Sequence, residues 1–286
     1  MAEKPRACIL TGFGINCEQE TAHALEMAGA RCELVHFNKL QADGGEALGQ
    51  YQIFMLPGGW AFADDIQSGR VLANKFRFKL QEPLRKFIDS GKPVVGICNG
   101  FQVLAQLGAL PGWDKWESRE LTLMTNRNGR FENRWVRLRT EASACPFAQD
   151  MDLLTLPVRH GEGQMALASP KTLDKLEEGE QIVFRYASAR DGLKADSYPD
   201  NPNGSADAIA GICNEAGNVM GMMPHPECHV RYLQSPNWTE RPPKAQEKGG
   251  FLSSLSSMLG AKEKAPQDAG NCRALFEGIV ESAKKF

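Results

Sequence analysis

No stretch of the 286 residues approaches the ~20 consecutive apolar residues that cross a bilayer as a helix, so no membrane partner is expected. Charge of one sign is also scarce. A formal net charge of -2, with no cluster of Lys and Arg set among aromatic residues, gives no long-range attraction to DNA or RNA, and nucleic acid is not an expected partner. The eight cysteines include no Cys-x-x-Cys pair, which removes the common zinc and dithiol signatures; their wide scatter fits reduced thiols better than a disulfide framework. No G-x-x-x-x-G-K segment is present, and Gly12-Phe13-Gly14 lacks the third glycine of the dinucleotide fingerprint, so no cofactor or metal is expected on this chain. Met1 to Arg6 is charged and leads straight into Ala7 to Leu10, without the long apolar core and cleavage site of a signal peptide, so the expected location is cytoplasmic.

What is present is an alternation of short apolar runs and helical spacing. Ala7 to Thr11 ends in Gly12 and Gly14; Cys17 to Ala28 follows, with Ala22, Leu25 and Ala28 at helical intervals. Cys32 to Phe37, Ile53 to Leu56, a helical stretch near Leu72 to Asp89, Val94 to Ile97 and Phe101 to Leu107 continue the series. This predicts an α/β fold with an open, largely parallel central sheet and helices on both faces. Beyond Leu107 the character changes to shorter pieces between Asn, Gly and Pro clusters: Trp135 to Arg139, Ile182 to Tyr186, Ala208 to Cys213 and Val219 to Met223. These read as antiparallel additions. Residues 1–233 are expected to form the main domain. Residues 234–270, rich in Pro, Lys, Glu, Gly and Ser, read as a surface insertion with one helical stripe of Phe251, Leu252, Leu255, Met258 and Leu259. Residues 271–286 carry Leu275, Phe276, Ile279, Val280 and Ala283, an amphipathic helix expected to return to the main domain.

The chemistry is concentrated in three segments. Val94-Val95-Gly96-Ile97-Cys98-Asn99-Gly100-Phe101-Gln102 sets a cysteine between two glycines, after a buried strand and before a helix. This is the cysteine counterpart of the G-x-S-x-G nucleophile elbow, and the helix N-terminus favours the anionic sulfur that attacks carbonyl carbon. Met223-Pro224-His225-Pro226-Glu227 offers a base: proline after His225 disfavours helix there, and Glu227, two positions on, projects to the same side and fixes the imidazole tautomer. Leu56-Pro57-Gly58-Gly59-Trp60 ends another strand. Its glycines let the backbone approach a substrate, and the N–H groups of Gly59 and Asn99 would face the oxyanion, at about 3 kcal/mol per donor. Each segment also has a structural reading as a buried cysteine, a rigid proline turn or a plain glycine turn. A zinc site from His225, Cys228 and His229 does not match a standard ligand spacing.

Together these segments resemble the triad class of glutamine amidotransferase domains, with Cys98, His225 and Glu227 as the catalytic set. Gly12-Phe13-Gly14-Ile15-Asn16-Cys17, His160-Gly161-Glu162-Gly163 and Asn201-Pro202-Asn203-Gly204-Ser205 narrow the resemblance. Over about the first 230 residues, the chain is similar to the glutaminase subunits of phosphoribosylformylglycinamidine synthases, the PurQ type. The resemblance implies a flavodoxin-like class I glutamine amidotransferase fold and hydrolysis of L-glutamine to glutamate and ammonia. It further implies delivery of the ammonia to a large synthetase subunit, which would hold ATP and magnesium, with a small accessory subunit as a further partner. It places the amino-acid end of glutamine at Gly58, Gln102, His160, Gly161 and Glu162. The chain departs from the family at Cys228, where an arginine is usual, at Trp60 to Asp65 after the Gly-Gly pair, and in the length of the insertion. Two other readings stay open: a silent docking module of a synthetase, and another cysteine hydrolase of the same fold.

Overall fold

A computed structural model describes residues 3–117, 119–149, 151, 153–240 and 270–286. The apolar stripe from Phe251 to Leu259 lies outside the described residues.

The first half of the chain alternates strand and helix: β1 (Arg6–Thr11), α1 (Glu18–Met27), β2 (Arg31–His36), α2 (Phe37–Ala42), β3 (Ile53–Leu56), α3 (Arg70–Lys79), α4 (Gln81–Asp89), β4 (Val94–Ile97) and α5 (Asn99–Leu107). The helical stretch near Leu72 to Asp89 is two helices rather than one. The break falls at Leu80, whose φ of -137° leaves the helical region. Pro83, which lacks the N–H an internal position needs, is thereby placed in the first turn of α4, where that N–H would be unpaired anyway. Helix α5 ends on Gly108 at φ 84°, the left-handed cap that glycine adopts without a Cβ penalty.

The second half supplies β5 (Leu121–Thr125), β6 (Glu132–Thr140), β7 (Leu154–His160), β8 (Glu162–Leu167), α6 (Pro170–Glu178), β9 (Ile182–Ala187), β10 (Ile209–Cys213) and β11 (Val219–Met222). Nine strands form one sheet in the order β2-β1-β3-β4-β11-β10-β9-β6-β7, while β5 and β8 pair separately. From β2 to β11 the neighbours are parallel, and from β11 to β7 they are antiparallel. Strand β11, the last in sequence, thus sits at the centre of the sheet against β4.

Strands β3, β4, β10 and β11 are buried at every position, which requires cover on both faces. Helices α3 and α5 pack together as one layer, and α1 contacts a C-terminal helix, α7 (Arg273–Ala283). Leu275, Phe276, Ile279 and Val280 of α7 lie in the same apolar core as the strands. The chain re-enters this core beside residues that follow the site: Gly270 N–H donates to the Val230 carbonyl and Cys272 N–H to that of His229. Among the described residues no helix is long and apolar enough to cross a membrane.

Candidate active site

Cys98 occupies the turn between β4 and α5 with φ 51° and ψ -107°, a left-handed backbone that a side-chain-bearing residue adopts only under constraint. The glycines at either side explain how the turn closes. A Cβ on Gly96 would lie 2.7 Å from the Gly100 carbonyl, and one on Gly100 would lie 1.9 Å from the Leu56 carbonyl oxygen. Helix α5 therefore starts against the strands with no room for a methyl group at either position. Cys98 is 5% exposed; its N–H donates to the Met222 carbonyl at 2.8 Å, and its Sγ lies 3.7 Å from the Arg159 carbonyl.

Met222 is the last residue of β11, in register with Ile97, so the segment carrying His225 leaves the sheet beside the nucleophile. His225 is extended (φ -101°, ψ 91°), and its N–H donates to the Pro157 carbonyl of β7 at 2.9 Å. Glu227 lies in a single 3-10 turn, Pro226–His229, rather than on a continuing strand. The turn folds its carboxylate back, so that Oε1 is 2.6 Å from His225 Nδ1, with both residues at most 2% exposed. Burial alone would push the imidazole down. The Glu227 carboxylate and the nearby Cys98 and Cys17 sulfurs outweigh it and hold the ring well above its ordinary value of 6.5. Nε2 is buried without a partner at conventional hydrogen-bond geometry among the described residues, leaving it available to a reacting proton.

The turn after β3 approaches from the other side. Ile15 and Gly59 form an isolated bridge, Trp60 N–H donates to the Gly14 carbonyl, and the N–H groups of Asn16 and Cys17 both reach the Gly58 carbonyl. Gly58 forms the surface on which the imidazole rests: a Cβ there would meet His225 Cε1 at 2.7 Å. The Asn99 side chain is committed to this loop. Its Oδ1 accepts from Ala61 N–H at 3.2 Å, and its Nδ2 donates to Asp64 Oδ1 and Gln102 Oε1. Phe62, Ala63 and Asp64 in that loop all have φ between 54° and 58°, a left-handed run that these hydrogen bonds hold in place.

Cys98, His225 and Gly59 line one cavity of about 270 Å³, together with Cys17, Trp60, Phe131 and Arg159. Larger surface hollows beside Arg31 and beside Pro83 hold neither the nucleophile nor the base. Gln102, His160, Gly161 and Glu162 are not among the residues lining the cavity. Gln102 Nε2 donates to the Glu162 carbonyl, and Glu162 Oε2 accepts the Ser68 N–H at 3.0 Å. His160 ends β7. Its Nδ1 is 3.1 Å from Asn126 Oδ1, and a Cβ on Gly163 would collide with its ring. Burial, reinforced by the charge of His225, pushes His160 down to about 3. His229 is turned away, with Nδ1 on the Thr155 carbonyl, so His225, Cys228 and His229 do not converge.

Arg159 and Phe131 escaped the sequence reading. Both come from the antiparallel part of the chain and carry no local motif. Arg159 reaches Cys228, with Nη1 3.6 Å from Sγ. Cys17 stood in the quoted Asn-Cys segment, yet nothing in that segment signals that its sulfur lies 4.0 Å from His225 Nδ1.

The chain is similar to known proteins in sequence and in structure. Residues 4–255 match the family described as the CobB/CobQ-like glutamine amidotransferase domain. A Methanococcus maripaludis protein named phosphoribosylformylglycinamidine synthase subunit PurQ is 42% identical over 250 residues, covering 87% of this chain and 91% of the relative. One of the same name from Dehalococcoides mccartyi is 44% identical, covering 82% and 89%. Among solved structures, a chain of PurLQS from Thermotoga maritima aligns with a TM-score of 0.62 at 31% identity, covering 82% of this chain and 92% of that one.

Proposed function

From the premise that this chain belongs to the family of CobB/CobQ-like glutamine amidotransferase domains, we propose that Cys98, His225 and Glu227 hydrolyse L-glutamine to L-glutamate and ammonia. The chain is the glutaminase subunit of a phosphoribosylformylglycinamidine synthase in purine biosynthesis. The ammonia passes to the large synthetase subunit, which carries ATP and magnesium, and a small accessory subunit completes the complex. The observation that carries the chemistry is the register of β4 against β11, which brings the sulfur and the Glu227-held imidazole to one cavity.

Glutamine enters with its carboxamide over Cys98. The thiolate adds to the amide carbon, and the oxyanion that forms is met by the backbone N–H groups of Gly59 and of Asn99, the first residue of α5. His225 gives its proton to the departing ammonia, leaving a glutamyl thioester. The neutral ring then takes a proton from water as the water attacks, and glutamate leaves as the thiolate is restored. Glu227 keeps Nδ1 occupied and directs Nε2 to the reacting atoms. Arg159, exposed at the rim and aligned with the cavity, pairs with the α-carboxylate of glutamine. Gln102, His160, Gly161 and Glu162 act from behind, holding the cavity wall that receives the amino-acid end.

Cys98→Ala should abolish glutamate release, while the complex of that variant with the synthetase still forms product from added ammonium salt. Glutamine hydrolysis at the ordinary rate by this variant would remove Cys98 from the mechanism, and loss of the ammonia-driven reaction as well would reduce it to a structural residue.

A further inference from the structure

One nucleophilic group at the site has no part in that mechanism. Cys17 stands at the N-terminal cap of α1, half-buried, with its backbone fixed by the Gly58 carbonyl and its Sγ beside the cavity. The sulfur lies 4.0 Å from His225 Nδ1, the ring atom that the mechanism leaves on Glu227. One ligand atom each from Cys17, His225 and Glu227 lies within 4.8 Å of the others, the single cluster of this kind among the described residues. An independent observation points to a missing ligand here: Glu227 Oε2 is fully buried and has no hydrogen-bond partner among the described residues. A buried carboxylate oxygen without a donor is costly, and a cation is one way to satisfy it.

A thiolate, an imidazole nitrogen and a carboxylate oxygen form a donor set for a borderline-soft divalent ion. Tetrahedral zinc with ligand distances of roughly 2.0–2.3 Å separates its donors by about 3.4–3.6 Å. Meeting that geometry asks the 4.0 Å sulfur–nitrogen distance to shorten and the 2.6 Å nitrogen–oxygen contact to open. The cavity that Cys17 and His225 line leaves the fourth position to water.

We propose that Cys17, His225 and Glu227 form an inhibitory site for a thiophilic divalent cation such as zinc, which arrests glutamine hydrolysis by taking the imidazole away from its carboxylate. This rests on the glutaminase reading for its consequence but not for the binding itself. On binding, the thiol proton of Cys17 and the Nδ1 proton shared with Glu227 pass to solvent; no electron moves. The nucleophile stays free, so the block falls on proton transfer: kcat declines, and KM for glutamine changes little.

The test uses the full chain with cobalt(II) as a spectroscopic stand-in and zinc as inhibitor. One equivalent of cobalt should give a thiolate-to-metal charge-transfer band that persists in Cys98→Ser and disappears in Cys17→Ser. Zinc inhibition in complex with the synthetase, scaled to each variant's own metal-free rate, should need at least 100-fold more zinc for Cys17→Ser. Cys17→Asp, which replaces the sulfur by an oxygen donor at the same cap, should recover part of the sensitivity without the band. A band that survives Cys17→Ser, a band lost in Cys98→Ser, or equal zinc inhibition of wild type and Cys17→Ser would overturn the assignment. Because the cobalt band is read without turnover, an absence of glutaminase activity in the wild type would count against the function and leave the metal site to be judged on its own.

Discussion

The parallel and antiparallel halves of the sheet contain strands buried along their whole length, β3, β4 and β11 in one, β9 and β10 in the other. They serve the site in different ways. Gly59, Cys98 and His225 all follow the carboxyl ends of parallel strands, which finish at a common edge and so gather residues far apart in sequence. The antiparallel half contributes main-chain carbonyls, from Pro157 to the His225 N–H and from Arg159 beside the Cys98 sulfur, and one cationic side chain at the rim. The division assigns chemistry to the parallel half, and substrate capture and support to the antiparallel half. Substitutions can break it.

After the nucleophile itself, the largest effect is expected at Glu227. Glu227→Gln leaves the 3-10 turn in place but removes the charge that holds the His225 proton, so glutamine turnover should fall by about 100-fold or more. Without the carboxylate the imidazolium loses its proton at lower pH, and the alkaline limb of the kcat/KM profile should move down. The same pair affects stability. A histidine raised in the folded state contributes fully below its unfolded value of about 6.5, and the contribution is lost as pH rises through the higher folded value. The stability gap between wild type and Glu227→Gln should therefore be widest in mild acid and close in alkali. An unshifted alkaline limb would remove His225 as the group that titrates there.

Gly100→Ala comes next, again in the parallel half. Its methyl would meet the Leu56 backbone at 1.9–2.6 Å, an overlap that only separation of α5 from β3 relieves, so a loss of about 3 kcal/mol or more in urea unfolding is expected. Near-native stability would mean that α5 is not seated against β3.

For the antiparallel half, Arg159→Ala should raise KM for glutamine by about ten-fold with kcat nearly intact, the effect of losing one exposed charge-assisted contact. Arg159→Lys should recover part of it, and glutaminamide, which lacks the α-carboxylate, should not discriminate wild type from variant. A fall in kcat comparable to that of Glu227→Gln would put chemistry in the antiparallel half and end the division.

The same contrast governs what the sequence could disclose. Ile53–Leu56 and Val94–Ile97 are uniform apolar runs bounded by turn residues, because a strand covered on both faces must be apolar at every position; both are found with the predicted limits. The elbow was legible for a steric reason: Gly96 and Gly100 are required by contacts within and beside the motif. The nearness of His225 to Cys98 could be inferred only from chemistry, since the pairing of β11 with β4 spans more than a hundred residues and no local pattern encodes it. Strand β7 was missed because Pro157 interrupts it; among the described residues β7 is an edge strand paired with β6 alone, a position where proline is tolerated. With β7 unseen, Arg159 had no predicted place.

His160 gives the smallest and most diagnostic test of that supporting role. It is buried, bonded to Asn126 and held down to about 3, so it stays neutral in the folded state while an unfolded histidine protonates near 6.5. The sign is opposite to that of His225: its contribution is complete above about 6.5 and declines as pH falls below it. Between pH 8 and pH 6 the stability of wild type relative to His160→Gln should drop by about 1 kcal/mol in urea unfolding. A pH-independent difference, accompanied by a change in KM alone, would move His160 from the supporting layer to direct contact with glutamine.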